Sequence, residues 1–233
     1  MDSSRAGLPP WGSDADTFRD ESVRAQRRWA PDRTECTEES IGVTPEEARK
    51  HWSKARTLVD LGELTARWLE GRLPYLPAYF ADQPAEETQQ LIGILAAINR
   101  AGFVTTGSQP GRRLGSKSGQ RAFVTGFTAE ENVQRIERAF LSTELVMLAT
   151  EPGRETFLRV PVTIDDGGAF TWVGWSGSET GEELEHLYGD ELSHSALTAL
   201  MRAWSVELFD PKWGRNTLLW PSLLAALTST DYE

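Results

Sequence analysis

The chain has 233 residues, a single cysteine, and 24 Lys and Arg against 35 Asp and Glu, a formal charge of -11. That acidity leaves no phosphate-tracking basic surface, so no nucleic-acid partner is expected. The lone Cys36 excludes an internal disulfide and a cysteine metal cluster and suits a reducing compartment, which makes the cytoplasm the expected location. No uncharged run approaches the roughly 20 residues needed to cross a bilayer, so no membrane association is expected either.

At about 150 residues per domain the length predicts one domain with an appendage. Residues 1–44 mix Pro, Gly, Ser and charge around Trp11, Phe18 and Trp29, which fall in no sustained period. They predict a flexible N-terminal arm, with room for one short helix from Phe18 to Trp29. The folded part begins at Thr44-Pro45-Glu46-Glu47, where a capping Thr, a Pro at the first helical position and early acids start a helix over 45–55. Leu58, Leu61, Leu64 and Trp68 mark a second amphipathic helix ended by Gly71.

A loop rich in Pro and aromatics covers residues 72–84 and carries Tyr75 and Tyr79. The strongest helical stripe follows, with Leu91, Ile94, Leu95 and Ile98 before Gly102. Phe103-Val104-Thr105-Thr106 reads as a strand, Gly107 to Gly119 as a glycine-rich loop, and Arg121 to Phe127 as a second strand. Thr128-Ala129-Glu130-Glu131 caps a helix with Val133, Ile136 and Phe140 on one side. Strands are expected at Glu144–Ala149, Phe157–Thr163 and Ala169–Trp175, the last two forming a hairpin around Asp165-Asp166-Gly167-Gly168. Leu197, Leu200, Met201 and Trp204 mark a late helix, Val206–Phe209 a short strand, and Leu218–Leu227 a closing helix. Residues 45–233 therefore predict one α/β (α+β) domain, a mixed β-sheet flanked by helices.

Small hydroxyls and glycines in Thr105-Thr106-Gly107-Ser108-Gln109-Pro110-Gly111, just beyond a strand, suit either a ligand crevice or a polar turn. The loop lacks the lysine of a phosphate loop and any Gly-x-Gly-x-x-Gly. Glu183/His186 and Glu191/His194 each have the spacing of a helical metal pair, but Gly189 interrupts them, and solvated side chains are the better account. Ser176 lacks the second glycine of a nucleophile elbow, and Cys36 has no source of a lowered pKa. No catalytic set emerges, and neither a metal nor a cofactor is expected. Of nine tryptophans, Trp172, Trp175, Trp204, Trp213 and Trp220 crowd the last third, as core or as the wall of a groove for a planar ligand.

Five motifs in order add a resemblance. Glu87-Thr88, Leu91 and the run Ala97-Ile98-Asn99-Arg100-Ala101-Gly102-Phe103-Val104-Thr105 precede Ser108-Gln109-Pro110. Gln120-Arg121-Ala122-Phe123 with Phe127-Thr128, then Ala169-Phe170-Thr171-Trp172, then Asn216, Leu219 and Trp220 complete the series. Over about residues 57–228 the chain resembles the C-terminal regulatory domain of eukaryotic methylenetetrahydrofolate reductase. It is also similar to actinobacterial proteins that carry a domain of unknown function. One departure is Pro77-Ala78-Tyr79-Phe80-Ala81-Asp82, which keeps an aromatic and an acid of the family's segment but not its Pro-Trp pair.

The resemblance implies a regulatory fold that binds S-adenosylmethionine or S-adenosylhomocysteine. With no catalytic barrel expected in the chain, it does not extend to folate reduction. The implied site lies between Tyr79, the strand end and turn at Thr105, Ser108 and Gln109, and the hairpin at Thr171 and Trp172. Tyr79 would stack on a base, and the hydroxyls and the Gln109 amide would bond ribose or the amino-acid end. Ser108 and Gln109 equally suit a purely structural role around the loop. The expectation is a stand-alone, non-catalytic domain binding an adenosyl compound or related nucleoside. The alternatives are a protein-interaction module that engages a protein partner through the N-terminal arm, and a small enzyme acting on a nucleoside-like substrate.

Overall fold

The computed structural model describes residues 42–79, 83–175 and 181–229. The chain divides into two units, Met1–Cys36 and Thr37–Glu233. The expected N-terminal arm with Trp11, Phe18, Trp29 and Cys36, and the candidate Ser176, lie outside the described residues.

Two capping boxes open the second unit. Thr44 and Glu47 exchange bonds at the start of α1 (Pro45–Trp52), and Thr57 and Asp60 do the same for α2 (Leu58–Leu69). Each box satisfies backbone N–H groups that a helix start leaves unpaired. The loop that follows leads to a 3-10 turn, Glu86–Leu91, and then to α3 (Ile92–Arg100). At Gly102 φ is +91°, and the chain reverses there into β1 (Phe103–Gln109).

The remaining elements are β2 (Gly119–Thr128), α4 (Glu130–Phe140), β3 (Val146–Thr150), β4 (Phe157–Asp165) and β5 (Gly168–Trp175). After them come α5 (Gly181–Tyr188), α6 (His194–Met201), β6 (Trp204–Trp213) and α7 (Leu219–Thr228). The six strands form a sheet in the order β3-β6-β2-β4-β5, with β1 on β2. β2 is the axis: it pairs β1 along Phe123–Thr128, β6 along Arg121–Thr128, and β4 at Gly119–Gln120.

The α+β class is as expected, but every strand pairing is antiparallel where a mixed sheet was expected. Two hairpins, β1–β2 and β4–β5, account for part of this. The longer crossovers also return each strand against its neighbour, so no βαβ unit with parallel neighbours forms among the described residues. Three local differences share a cause in pairing. β1 runs on to Gln109 through a bulge between Thr105 and Gly107, so Ser108 and Gln109 are strand rather than loop. Trp204 opens β6 because α6 ends at Met201 with Arg202 as its cap. β6 itself spans ten residues because it pairs β3 on one edge and β2 on the other. A further difference is helix α5, glutamate-rich and not among the expected elements, which is anchored by the single buried Leu184.

Alternation along the strands sorts the packing. Ala122, Val124, Val206 and Leu208 share one buried face with the main core, on which α4 and α7 pack. On the opposite face Phe127 and Ser205 lie with Leu184 of α5 and Leu200 of α6. Farther along that face, Phe123 and Phe209 form a second core with Val162 and Val173 of the β4–β5 hairpin. No described helix is long and apolar enough to cross a membrane.

Candidate functional site

A cleft of about 520 Å³, part of it open to solvent, lies beside β1. Its floor is β1 and β2, through Val104, Thr105, Thr106 and Phe127. One wall is α2, where Leu61 and Thr65 share a helical face at i,i+4 spacing, together with the buried Trp52 of α1. The facing wall is Tyr188, Leu192 and Leu200 from α5, α6 and their connection. Leu76, Pro77, Ala78 and Tyr79 close one end.

The loop Leu76–Tyr79 is held in one shape. Tyr79 N–H donates to the Leu76 carbonyl at 3.2 Å, and Ala78 adopts φ +59°. A left-handed alanine costs of order 1–2 kcal/mol, so the surrounding contacts must offset it. Tyr79 is 39% exposed, and its ring meets that of the buried Trp68 edge-to-face at 4.9 Å and 71°. Burial, and then the negative charge of Glu87, push its phenol above the ordinary value, so it stays a neutral donor at physiological pH.

Three contacts tie the walls together. Trp52 Nε1 donates to the Tyr75 carbonyl at 3.0 Å, and the Tyr75 hydroxyl donates to the Glu191 carboxylate between α5 and α6. Ser193, the cap of α6, donates its hydroxyl to the Ala55 carbonyl. Arg49 lies 4.3 Å from the centre of the Tyr75 ring, a cation-π contact. Burial, then the bond to Glu191, raise the Tyr75 pKa. The described side chains that line the cleft are uncharged at neutral pH.

The structure brings Tyr79 and Thr105 together in this cleft. Thr105 is committed on one side: its N–H donates to Asn99 Oδ1 at 3.0 Å, and its hydroxyl accepts from Asn99 Nδ2 at 2.9 Å. Ser108, Gln109, Thr171 and Trp172 do not line the cleft. Past the bulge, Gln109 Oε1 accepts from the Thr163 hydroxyl at 3.1 Å, and Thr163 pairs Thr171 across β4–β5. Trp172 pairs Pro161 and is 45% exposed. This second cluster sits where β4 meets the beginning of β2, so four residues placed near Tyr79 by resemblance lie farther along the sheet.

Several motif residues turn out to be fasteners. Gln120 Nε2 donates to the Pro110 carbonyl at 2.6 Å. Arg121 donates to the Pro161 carbonyl at 3.0 Å and lies 4.6 Å from the centre of the Trp213 ring. Its burial lowers the guanidinium pKa. The Asn216 side chain exchanges two bonds with the Gly111 backbone, as a neighbouring strand would.

Sequence reasoning missed Trp52, Thr65, Tyr188 and Leu192. The i,i+4 relation of Leu61 and Thr65 was the available signal, while nothing in the glutamate-rich sequence of α5 marked Tyr188 as a wall. The described residues hold no group of three His, Cys, Asp or Glu able to bind a metal, and Glu191 of one metal-spaced pair is bonded to Tyr75.

Fold and cleft together define an α+β domain with an antiparallel sheet and an uncharged, aromatic-walled cleft at the edge of β1. The chain belongs to the family described as Domain of unknown function (DUF6919), whose profile matches residues 47–230. No curated protein matches it.

Proposed function

We propose that the chain is a non-catalytic domain that binds a small molecule in the cleft beside β1. The ligand is an adenosyl compound, S-adenosylmethionine or S-adenosylhomocysteine, or a related nucleoside, and the domain works in the cytoplasm. The observation that carries this reading is the meeting in one cleft of Tyr79 and Thr105, two of the six residues that the resemblance to the reductase regulatory domain would use. A half-exposed tyrosine ring braced by a buried tryptophan supplies a rigid stacking surface, and threonine hydroxyls at the strand edge supply donors and acceptors.

Binding rather than catalysis is favoured by the chemistry of the lining. It holds hydroxyls and hydrocarbon, and no described lining residue is a carboxylate, imidazole or thiol that would exchange protons near neutrality.

The test is thermal unfolding with S-adenosylmethionine, S-adenosylhomocysteine, adenosine and common nucleotides at millimolar concentration. A ligand at 100 times its dissociation constant stabilises the native state by about 2.7 kcal/mol. In a chain of this size that raises the melting temperature by about 5–10 °C. The expected result is a rise with the adenosyl or nucleoside compounds that Tyr79→Ala abolishes. Unchanged melting with all of them overturns the reading.

A further inference from the structure

We propose that Arg121 anchors a second site, separate from the cleft, which takes the oxyanion group of a small molecule, a carboxylate or a phosphate. It lies where β2 pairs the end of β6 and meets the β4–β5 hairpin. The inference goes beyond the cleft and does not depend on what the cleft binds.

The chain carries 35 Asp and Glu, and two arginines that tie elements together use them. Arg100 bonds Glu63 and Glu70, and Arg215 bonds Asp210 and Glu144. Arg121 differs, for it makes no ion pair among the described residues. Its bond runs from Nη1 to the Pro161 carbonyl at 3.0 Å, while Nε is sealed from solvent and bonds nothing. The guanidinium lies 4.6 Å from the centre of the Trp213 ring and 5.9 Å from that of Phe209. These rings hold a planar cation in place but bring no formal negative charge. Burial lowers the Arg121 pKa, and no acid opposes that shift. A desolvated cation without a counter-charge costs stability, and an anion from solution offsets the cost.

Arg121 is half-buried rather than enclosed, so an ion can reach its remaining edge. A guanidinium already fixed in its plane suits the forked recognition of carboxylate or phosphate. Gln109 pairs Phe123, two residues from Arg121, and with Oε1 taken by Thr163 its Nε2 is left as a further donor. Arg112 pairs Gln120 beside Arg121, and Arg113 packs against Gly214 beside Trp213. Both are exposed and add positive charge to this end of the sheet. Gln109, Arg121 and Trp213 do not line the cleft.

The test is thermal unfolding of the full chain at pH 7 in sodium phosphate or sodium acetate, against sodium chloride at matched ionic strength. A saturating rise in melting temperature of about 2–4 °C is expected by about 100 mM of at least one oxyanion. A rise with phosphate alone assigns a phosphoryl group, and a rise with acetate assigns a carboxylate. Arg121→Met, whose apolar chain still covers the rings, is expected to lose the rise, and Tyr79→Ala to keep it. No rise in the natural chain overturns the site. An equal rise in Arg121→Met also overturns it, because the anions then act by exclusion from the whole surface. Loss of the rise in Tyr79→Ala overturns the separation from the cleft. A second reading does not depend on stability or on the folding of Arg121→Met. The sealed Arg121 Nε–H gives an NMR signal, assigned by its loss in Arg121→Lys, that is expected to shift to saturation with the effective oxyanion and not with chloride. An unmoved signal overturns the site.

Discussion

Asn99 holds Thr105 as a strand neighbour would, with its Oδ1 accepting the Thr105 N–H at 3.0 Å and its Nδ2 donating to the Thr105 hydroxyl at 2.9 Å. The same Nδ2 reaches the Leu95 carbonyl at 2.8 Å, and Asn99 is fully buried. One amide thereby fastens the end of α3 to the edge of β1, which forms the cleft floor. Asn99→Ala strands a buried N–H and leaves a cavity, a loss of about 2–4 kcal/mol. We expect the melting temperature to fall by about 5–12 °C. Asn99→Asp keeps the acceptor but not the donors and should destabilise the chain as well. Thr105→Val, which keeps the backbone N–H, should cost the least of the three by thermal or urea unfolding.

A second prediction uses two glycines in adjacent helices. A Cβ on Gly62 of α2 would lie 2.3 Å from the Asn99 carbonyl oxygen, so α2 and α3 cross at a distance that only glycine allows. Gly62→Ala must push the helices apart and should cost about 1–3 kcal/mol or more. Gly93 of α3 has open space around its Cβ position. Gly93→Ala should therefore stabilise the protein by about 0.5 kcal/mol through the unfolded chain. Opposite signs in urea midpoints are expected, and equal effects would contradict the close crossing.

The same crossing shows what the sequence could and could not disclose. The helix start at Thr44, the stop at Gly102 and the stripes Leu58–Trp68 and Leu91–Ile98 are local signals, and each element formed within a few residues of its expected place. Strand direction and length were less accessible, because the partners of β6 lie up to about 90 residues away in the chain, at Thr128–Arg121 and Val146–Thr150. Of the six candidate residues, Tyr79 and Thr105 line the cleft, but a bulge between Thr105 and Gly107 carried Ser108 and Gln109 onward in β1, and no local pattern announces a bulge. The motif Asn99-Arg100-x-Gly102 drew attention for its resemblance; Asn99 and Gly102 serve the helix-to-strand junction, while Arg100 ties α3 to Glu63 and Glu70 of α2 and its cap.

Gln109 provides the third prediction. Its Oε1 accepts from Thr163 and joins β1 to the β4–β5 hairpin, away from the cleft. Gln109→Ala should cost about 1 kcal/mol from the lost bond. Binding of any cleft ligand should remain within about twofold, whereas Tyr79→Ala should weaken it at constant stability. Calorimetric titration of both variants separates the two roles, and loss of binding in Gln109→Ala would join the clusters into one site.

Acid stability depends on Arg100. It donates to Glu63 at 2.8 Å and to both oxygens of Glu70 at 2.7 and 2.8 Å. The bonds from Arg100, joined by Arg72, hold the Glu70 carboxyl down at about 2, below its ordinary 4.5. A carboxylate with a lowered folded pKa contributes stability that is complete above the unfolded value and is lost as pH falls from about 4.5 towards 2. Solvent around these half-exposed groups limits the contribution to about 1–2 kcal/mol. Glu70→Gln should lower the urea midpoint at pH 7 and flatten its decline between pH 4.5 and 2. An unchanged acid limb would remove Glu70 from the account.

Glu207 acts in the opposite direction. Its carboxylate accepts the Gly174 N–H and so joins β6 to the end of β5, but burial raises its pKa above 4.5, only partly countered by that bond. A carboxyl with a raised folded pKa favours folding most when protonated in both states, below the unfolded value. That advantage is lost as pH rises through the folded pKa, leaving a buried charge at neutrality. Glu207→Gln keeps an oxygen for Gly174 and removes the charge. We expect a gain of order 1 kcal/mol at pH 7, a rise in melting temperature of about 2–4 °C that shrinks on acidification towards pH 4.5. Glu207→Ala, which removes the acceptor too, should not show the gain. A fall in stability for Glu207→Gln at pH 7 would mean that the ionised carboxylate is a net stabiliser of the β5–β6 junction, contrary to the cost of its burial.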